Sequence, residues 1–525
     1  MRMRVRMPGR PRLPVRRSER REAGFTTVTM AGIMLAATLF SVAAIAVADG
    51  DISDAREDVD RKQAYAAAEA GLNDYIHHLD RDNSYWSKCT DVPPPDPSRP
   101  QERAPVNQAW SGQGSDPRVW RNVPGSEARY TIELLPAPGS SECVAGQDTS
   151  MIDPATGTFR IRATGRSRGI TRSIVATFRR RGFLDYIYFT DFEALDPAYD
   201  GTTAECAQYE RDGRSQSCVD IQFVNADRVN GPLHTNDELL ICGRPTFGRT
   251  PEDPIEIERP DPGSWRGSGS TGCAPNEPNF VGNHVPGALH LAVPPSNTSL
   301  STVAEPAYRF SGRTEIVLAG DTMTVNGTTM PFPPNGVIYI SNATGCSPSY
   351  TEPVVTYPNA SPCADVYLRG TYSKGLTIAS AKDIIVNGNV ERAAGSDALL
   401  GLIPNNFVRI FHPVTGTGCT SATSASNASN APMNVRIDAA MLTLQHSFIV
   451  DNFRCGAPLG TLTVNGAIGQ RFRGAVGTGG AQSSTGFIKN YNYDDRLRYR
   501  APPYFLDPVQ AGWRTVRVNE QIPAR

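Results

Sequence analysis

The chain has 525 residues, of which 39% are hydrophobic and 20% charged, with 47 Gly and 42 Pro. That much apolar material excludes a wholly disordered chain, and the Gly and Pro content points to many short strands joined by tight turns. The formal charge of −1 hides an asymmetry: residues 1–24 hold nine Arg against two Glu, a charge of +7, so the remaining residues carry −8.

Residues 1–24 read as a basic leader. The only long apolar run follows directly, residues 25–48, 24 residues without a charge. As a helix rising about 1.5 Å per residue it is roughly 36 Å long, enough to cross a hydrocarbon core of roughly 30 Å. The arginines before it, with Asp49, Asp51 and Asp54 after it, predict a cytoplasmic N-terminus and an outside location for everything from Asp49 onward. A secretory signal peptide is the alternative, since Ala46–Ala48 offers a small-residue cleavage site.

Helical character continues past the run. Residues 51–82 are rich in Ala, Glu, Arg and Lys, and Leu72, Ile76 and Leu79 share one helical face. The first proline after Phe25 is Pro93. One helix is therefore expected over residues 25–82, with residues 25–48 in lipid and possible bends at Gly50 and Gly71.

Residues 83–182 read as a Pro-rich linker followed by a small β-rich region. Tyr130–Leu135 is one candidate strand. Phe159, Ile161 and Ala163 alternate with polar residues, as do Ile170, Ile174, Ala176 and Phe178, with Arg172 the exception. A small sheet on the outer end of the helix is expected.

From Phe183 to about residue 500 short apolar runs recur, several ending in Asn-Gly (Asn326-Gly327, Asn387-Gly388, Asn465-Gly466), and no amphipathic helix interrupts them. Asn-Gly suits hairpins. Successive runs such as LRGTYSKGLTIAS and GLTIASAKDIIVNGNV instead suggest sides of one coil. The expected fold class is mainly β with one long N-terminal α-helix and a right-handed parallel β-helix ectodomain, a β-sandwich being the alternative. Residues 244–272 and 416–432 read as exposed or flexible insertions, and residues 501–525 as a C-terminal tail.

All ten cysteines follow the apolar run: Cys89, Cys143, Cys206, Cys218, Cys242, Cys273, Cys346, Cys363, Cys419 and Cys455. They contain no CxxC, and an oxidising compartment favours pairing. Bridges between successive neighbours are expected because they close local loops.

The sequence contains no GxSxG, HExxH, P-loop or GxGxxG motif. The seven His (His77, His78, His234, His284, His290, His412, His446), the pair Asp494 and Asp495, and the run Arg179–Arg181 are expected to be structural or solvated. No catalytic residue, metal ligand, cofactor or nucleic-acid contact is predicted. A membrane-tethered β-helical enzyme acting on polysaccharide is the alternative, recognised by three or more charged groups converging in one groove.

REAGFTTVTM, residues 21–30, resembles a class III signal peptide, in which a basic leader ends in Gly and the mature chain opens on Phe and an apolar helix. The resemblance implies that prepilin peptidase cuts between Gly24 and Phe25. Type IV pilins carry Glu at mature position five, where this chain has Thr29, so that carboxylate's pairing role is not carried over. QAYAAAEAGLNDYI, residues 63–76, resembles type IV pilus assembly proteins of the PilX N-terminal type. VNGPLHTNDELLICG and YDDRLRYRAPPYFLDP are similar to large surface proteins of that kind. The resemblance implies a structural or adhesive component at the cell surface, with the bilayer and pilin-like subunits as partners of the helix. Its small residues, Ala31, Gly32, Ala36, Ala37, Ala43 and Ala44, suit close helix packing. A plain anchor that never leaves the membrane is the alternative.

Overall fold

The computed structural model describes residues 26–82, 85–88 and 120–524, except 141–142, 145–149, 154–156, 201–203, 210–212, 226, 270–271, 348–354, 417, 480–482, 499 and 510–511. The chain is mainly β with one long N-terminal helix, Thr26–Arg81, of 56 residues. No proline interrupts it, and His78 and Arg81 in its last turn suit the negative end of the helix dipole. It continues through both Gly50 and Gly71. At Gly71 the missing side chain makes room for a neighbour: a Cβ there would lie 2.6 Å from the ring of Tyr130.

The outer part of the helix packs on a five-stranded antiparallel sheet. Its strands run in the order Arg121–Asn122, Arg129–Leu135, Thr158–Ser167, Ile170–Arg180 and Trp513–Gln521. Arg168 and Gly169, both at positive φ, form the two-residue turn between the central strands. Phe159, Ile161 and Ala163 on one strand and Ile174, Ala176 and Phe178 on the next are buried, the period of two that strands impose. They share a core with Ala67, Ala68, Leu72, Tyr75 and Leu79 of the helix.

Residues 501–525 are not a free tail. Trp513–Gln521 is the last strand of this sheet, because the Trp513 ring sits edge-on to Phe159 at 4.6 Å and to Trp86 at 5.7 Å.

Among the described residues most of the remaining β structure is one 23-stranded sheet that curls around a core of Leu, Ile, Val and Phe, with two separate two-stranded pairs beside it. Most of its neighbours are parallel. One ladder runs Arg309–Ser311, Val337–Ser341, Leu376–Ser380, Leu400–Pro404, Ala440–Leu442 and the second half of Gly460–Arg473. It continues through Tyr188–Leu195, Leu233–Thr235, Pro254–Ile257 and Asn283–Pro286. A second begins with Thr314–Gly320, Asp365–Tyr372 and Asp383–Arg392, and passes through the first half of Gly460–Arg473 to Ser483–Tyr493 and Arg228–Asn230. Antiparallel pairing is local: Asn326-Gly327 turns a hairpin between Thr322–Val325 and Thr328–Pro331. Asn387-Gly388 and Asn465-Gly466 instead lie inside long strands.

The order along the ladders is not the order of the chain. The chain enters in the middle, at Tyr188–Leu195, and proceeds to Asn283–Pro286 at one end. It then doubles back through residues 287–308 to Arg309–Ser311 at the other end. From there it coils inward until Gly460–Arg473 pairs with Tyr188–Leu195. Asparagines fasten the returning segment. Asn236 Oδ1 accepts from Leu291 N (3.0 Å), and Asn297 Nδ2 donates to the carbonyls of Ser380 (2.7 Å) and Ile403 (2.6 Å). A second strap, residues 500–509, lies beside it, with Val509 N donating to Ala292 O at 2.9 Å.

Two expected insertions are therefore corrected. Within 244–272, Ile255 and Ile257 are fully buried in the first ladder. Within 416–432, Cys419 is bridged to Cys455, and Ser426–Asn427 pairs with Val414–Thr415.

Candidate functional site

The long helix has two unlike halves. In residues 27–45 every residue is uncharged and none is buried, so the segment is long and apolar enough to cross a membrane. Ile33, Met34, Leu39 and Phe40 each expose well over half their surface. Two of its hydroxyls are satisfied within the helix: Thr38 Oγ1 donates to the carbonyls of Met34 (2.9 Å) and Leu35 (2.8 Å), and Ser41 Oγ to that of Ala37 (2.8 Å). A helix meeting lipid needs that internal satisfaction. Around Gly32 no atom lies within 4 Å of where a Cβ would stand, so a second helix could approach it closely.

The outer half is held by polar as well as apolar contacts. Asp74 accepts from Arg121 Nη1 (2.7 Å) and from Tyr130 OH (2.9 Å). Burial, with Asp74 adding to it, pushes the Tyr130 hydroxyl up to about 12, so it stays a donor. Ser167 Oγ reaches Asp60 Oδ1 (3.1 Å) and Gln63 Oε1 (3.0 Å). The tightest point is Gly165, where a Cβ would lie 1.9 Å from the Ala64 carbonyl and 2.4 Å from the Ala68 nitrogen. The helix backbone rests directly on that strand. Sequence alternation located the strand, but nothing in it marked Gly165, Asp74 or Tyr130 as the docking residues.

Gly24 and Phe25 lie outside the described residues, which begin at Thr26. Four bridges join successive cysteines: Cys206–Cys218, Cys242–Cys273, Cys346–Cys363 and Cys419–Cys455. Cys143 is disulfide-bonded, and Cys89 lies outside the described residues. Among the described residues no cysteine is free.

Several histidines sit in buried contacts. His234 lies between Glu256 (3.0 Å) and Asn236 (3.0 Å), His412 between the Asp451 carbonyl (2.9 Å) and Asn427 (3.0 Å), and His446 Nδ1 against Asp196 (3.0 Å). Of the adjacent pair, His78 lies 3.6 Å from Asp74, and burial holds its imidazole below the usual range. Asp494 pairs with Arg496 and Asp495 with Arg249. The run Arg179–Arg181 is not a soluble edge: Arg179 is buried and donates to the Leu497 carbonyl at 2.5 Å, and Arg180 lies over the Trp513 ring at 5.1 Å. The neighbouring strand Trp513–Gln521 covers that edge. No group of three or more His, Cys, Asp or Glu among the described residues is placed to hold a metal ion.

No model of a known protein family matches the chain, and no curated protein matches it. Among solved structures, the chain is similar to the competence-associated pilin ComZ from Thermus thermophilus. The identity is 14%, the match covers 88% of this chain and 97% of that one, and the TM-score is 0.30. At that score no common fold follows, and the functional reading is built from the chain's own residues.

Proposed function

We propose that this chain is a membrane-anchored structural or adhesive component of a type IV pilus-like system, assembling through its N-terminal helix. The observation that carries the reading is the division of one continuous helix. Residues 27–45 are apolar and bare, while residues 64–79 are locked to a β domain. Such a helix can sit in lipid, and once withdrawn can pack its apolar half against other helices of the same kind. In this reading the N-terminus stays in the cytoplasm, which the +7 leader supports, and the disulfide-bonded β region lies outside. We read the parallel ladders as coils of a right-handed parallel β-helix that serves as a rigid surface body without catalysis. The chain is read as an assembly protein of the PilX N-terminal type, with the bilayer, pilin-like subunits met through the N-terminal helix and, for processing, prepilin peptidase as its partners.

Cleavage between Gly24 and Phe25 is the step that links anchoring to assembly. Removing the +7 leader removes the strongest barrier to drawing the helix out of the bilayer. N-terminal sequencing of the exported protein tests this: a start at Phe25 is expected. A start at Met1 leaves a plain anchor, and a start at Asp49 means a signal-peptidase cut and a freely secreted ectodomain; either overturns the assembly reading. Gly24→Val is expected to block processing and Gly24→Ala to slow it.

A further inference from the structure

A cleft opens to solvent at the seam where the two runs of the large sheet meet, beside the pairing of Gly460–Arg473 with Tyr188–Leu195. Its volume is about 480 Å³. That falls within the roughly 300–1,000 Å³ of small-molecule sites.

The lining is mixed. Asp220, Asp227, Arg454 and Lys489 all line it, two carboxylates and two cations. Asp220 is already engaged by Arg214 at 2.8 Å and Arg266 at 2.5 Å. Lys489 Nζ lies 3.3 Å from Asp227 Oδ1 and 3.4 Å from Oδ2, long contacts to a single carboxylate that leave an N–H donor for another acceptor. Its side chain keeps about a quarter of its surface open, at 26%. Between these groups lie apolar walls from Val219, Leu240 and Phe453.

We propose that this cleft binds a short, uncharged saccharide. Sugar hydroxyls both donate and accept, which matches an ammonium and a carboxylate standing side by side. The C–H faces of sugar rings match apolar walls. The balanced charge disfavours a strongly anionic or cationic ligand, which would leave one partner of an ion pair uncompensated. Lys489 supplies donors, Asp227 acceptors, and Val219 at the rim bounds the opening. The inference rests on the adhesive part of the proposed function and is independent of how the helix is processed. An adhesin that meets a surface glycan needs a site of this kind on its outer body.

The test uses the full-length protein in detergent micelles, titrated by calorimetry with maltose, cellobiose and N,N′-diacetylchitobiose. Binding of at least one in the millimolar range or tighter is expected. Val219→Trp, at an exposed rim position, is expected to fill the mouth and weaken binding at least tenfold without changing the thermal unfolding midpoint. Lys489→Gln is expected to weaken it less. Heat-silent titrations with all three sugars, or binding that Val219→Trp leaves unchanged, overturn the proposal. Either result leaves the N-terminal sequencing outcome untouched, so the two readings fail separately.

Discussion

The two main sheets of this molecule are built on opposite plans. In the small sheet the central strands, Thr158–Ser167 and Ile170–Arg180, are joined by two residues and pair at once. In the large sheet Tyr188–Leu195 pairs with a strand some 280 residues further along the chain, Gly460–Arg473. Local pairing makes the small sheet easy to form but leaves it thin, and its core is completed by the helix. Long-range pairing makes the large sheet slow to close, and its weak point is the seam. The small sheet thus depends on a helix its own strands do not supply, and the large sheet on a pairing between two of its own strands far apart in the chain.

The seam offers the largest break. Arg473 and Glu193 are both almost wholly buried, 3.2 Å apart; Arg473 also donates to the Ile221 carbonyl at 2.6 Å and lies 3.6 Å over the Phe223 ring. Arg473→Met is expected to strand the Glu193 carboxylate and cost on the order of 3–5 kcal/mol in denaturant unfolding. Adding Glu193→Gln should recover part of the loss. A cost under about 1 kcal/mol would show that the pair does not hold the seam.

The small sheet breaks at Gly165. Gly165→Val forces a branched side chain into the Ala64 carbonyl and is expected to cost about 3 kcal/mol by overpacking. The comparison predicts where the loss falls: hydrogen exchange should quicken in residues 64–79 and 158–180 and stay unchanged in the strands from 376 to 450. Uniform quickening would mean that the two sheets unfold as one unit.

A smaller effect sharpens the boundary between them. Asp507 lies on the second strap, near Gly182, where the small sheet leads into the large one. Burial pushes its carboxyl up to about 6, against the opposing pull of Arg179 and Arg180. A folded value above the unfolded one, about 3.9, means that the contribution is fully present below pH 4 and lost as pH rises through 6. Asp507→Asn is therefore expected to match the wild type at pH 4 and to melt at a higher temperature at pH 7. Equal melting at both pH values would mean that the carboxyl is not shifted.

The helix and the small sheet were largely legible because their signals are local. Freedom from proline to Pro93, the Ala-rich stretch 64–70 and the alternation Phe159, Ile161, Ala163 each need only a few residues to be read. The strand Trp513–Gln521 escaped because it carries Arg514, Arg517 and Glu520 and its register shifts between Thr515 and Arg517, which erases the period of two. Ile255 and Ile257 were hidden among the prolines and glycines of 244–272. The seam was illegible for a deeper reason. Arg473 and Glu193 look like ordinary surface charges until the route of the chain brings them together, and no spacing encodes that route. The cleft lined by Asp227 and Lys489 was missed on the same ground.

That route also governs when the molecule becomes whole. Tyr188–Leu195 waits for Gly460–Arg473, and Ile170–Arg180 waits for Trp513–Gln521, so both sheets keep an open edge until the last residues arrive. Unpaired edges invite strand addition and aggregation. The fold thereby completes itself in two stages: a chain ended short of residue 460 is expected to be sensitive to proteases in both bodies, and one ended between residues 510 and 513 in the small sheet alone.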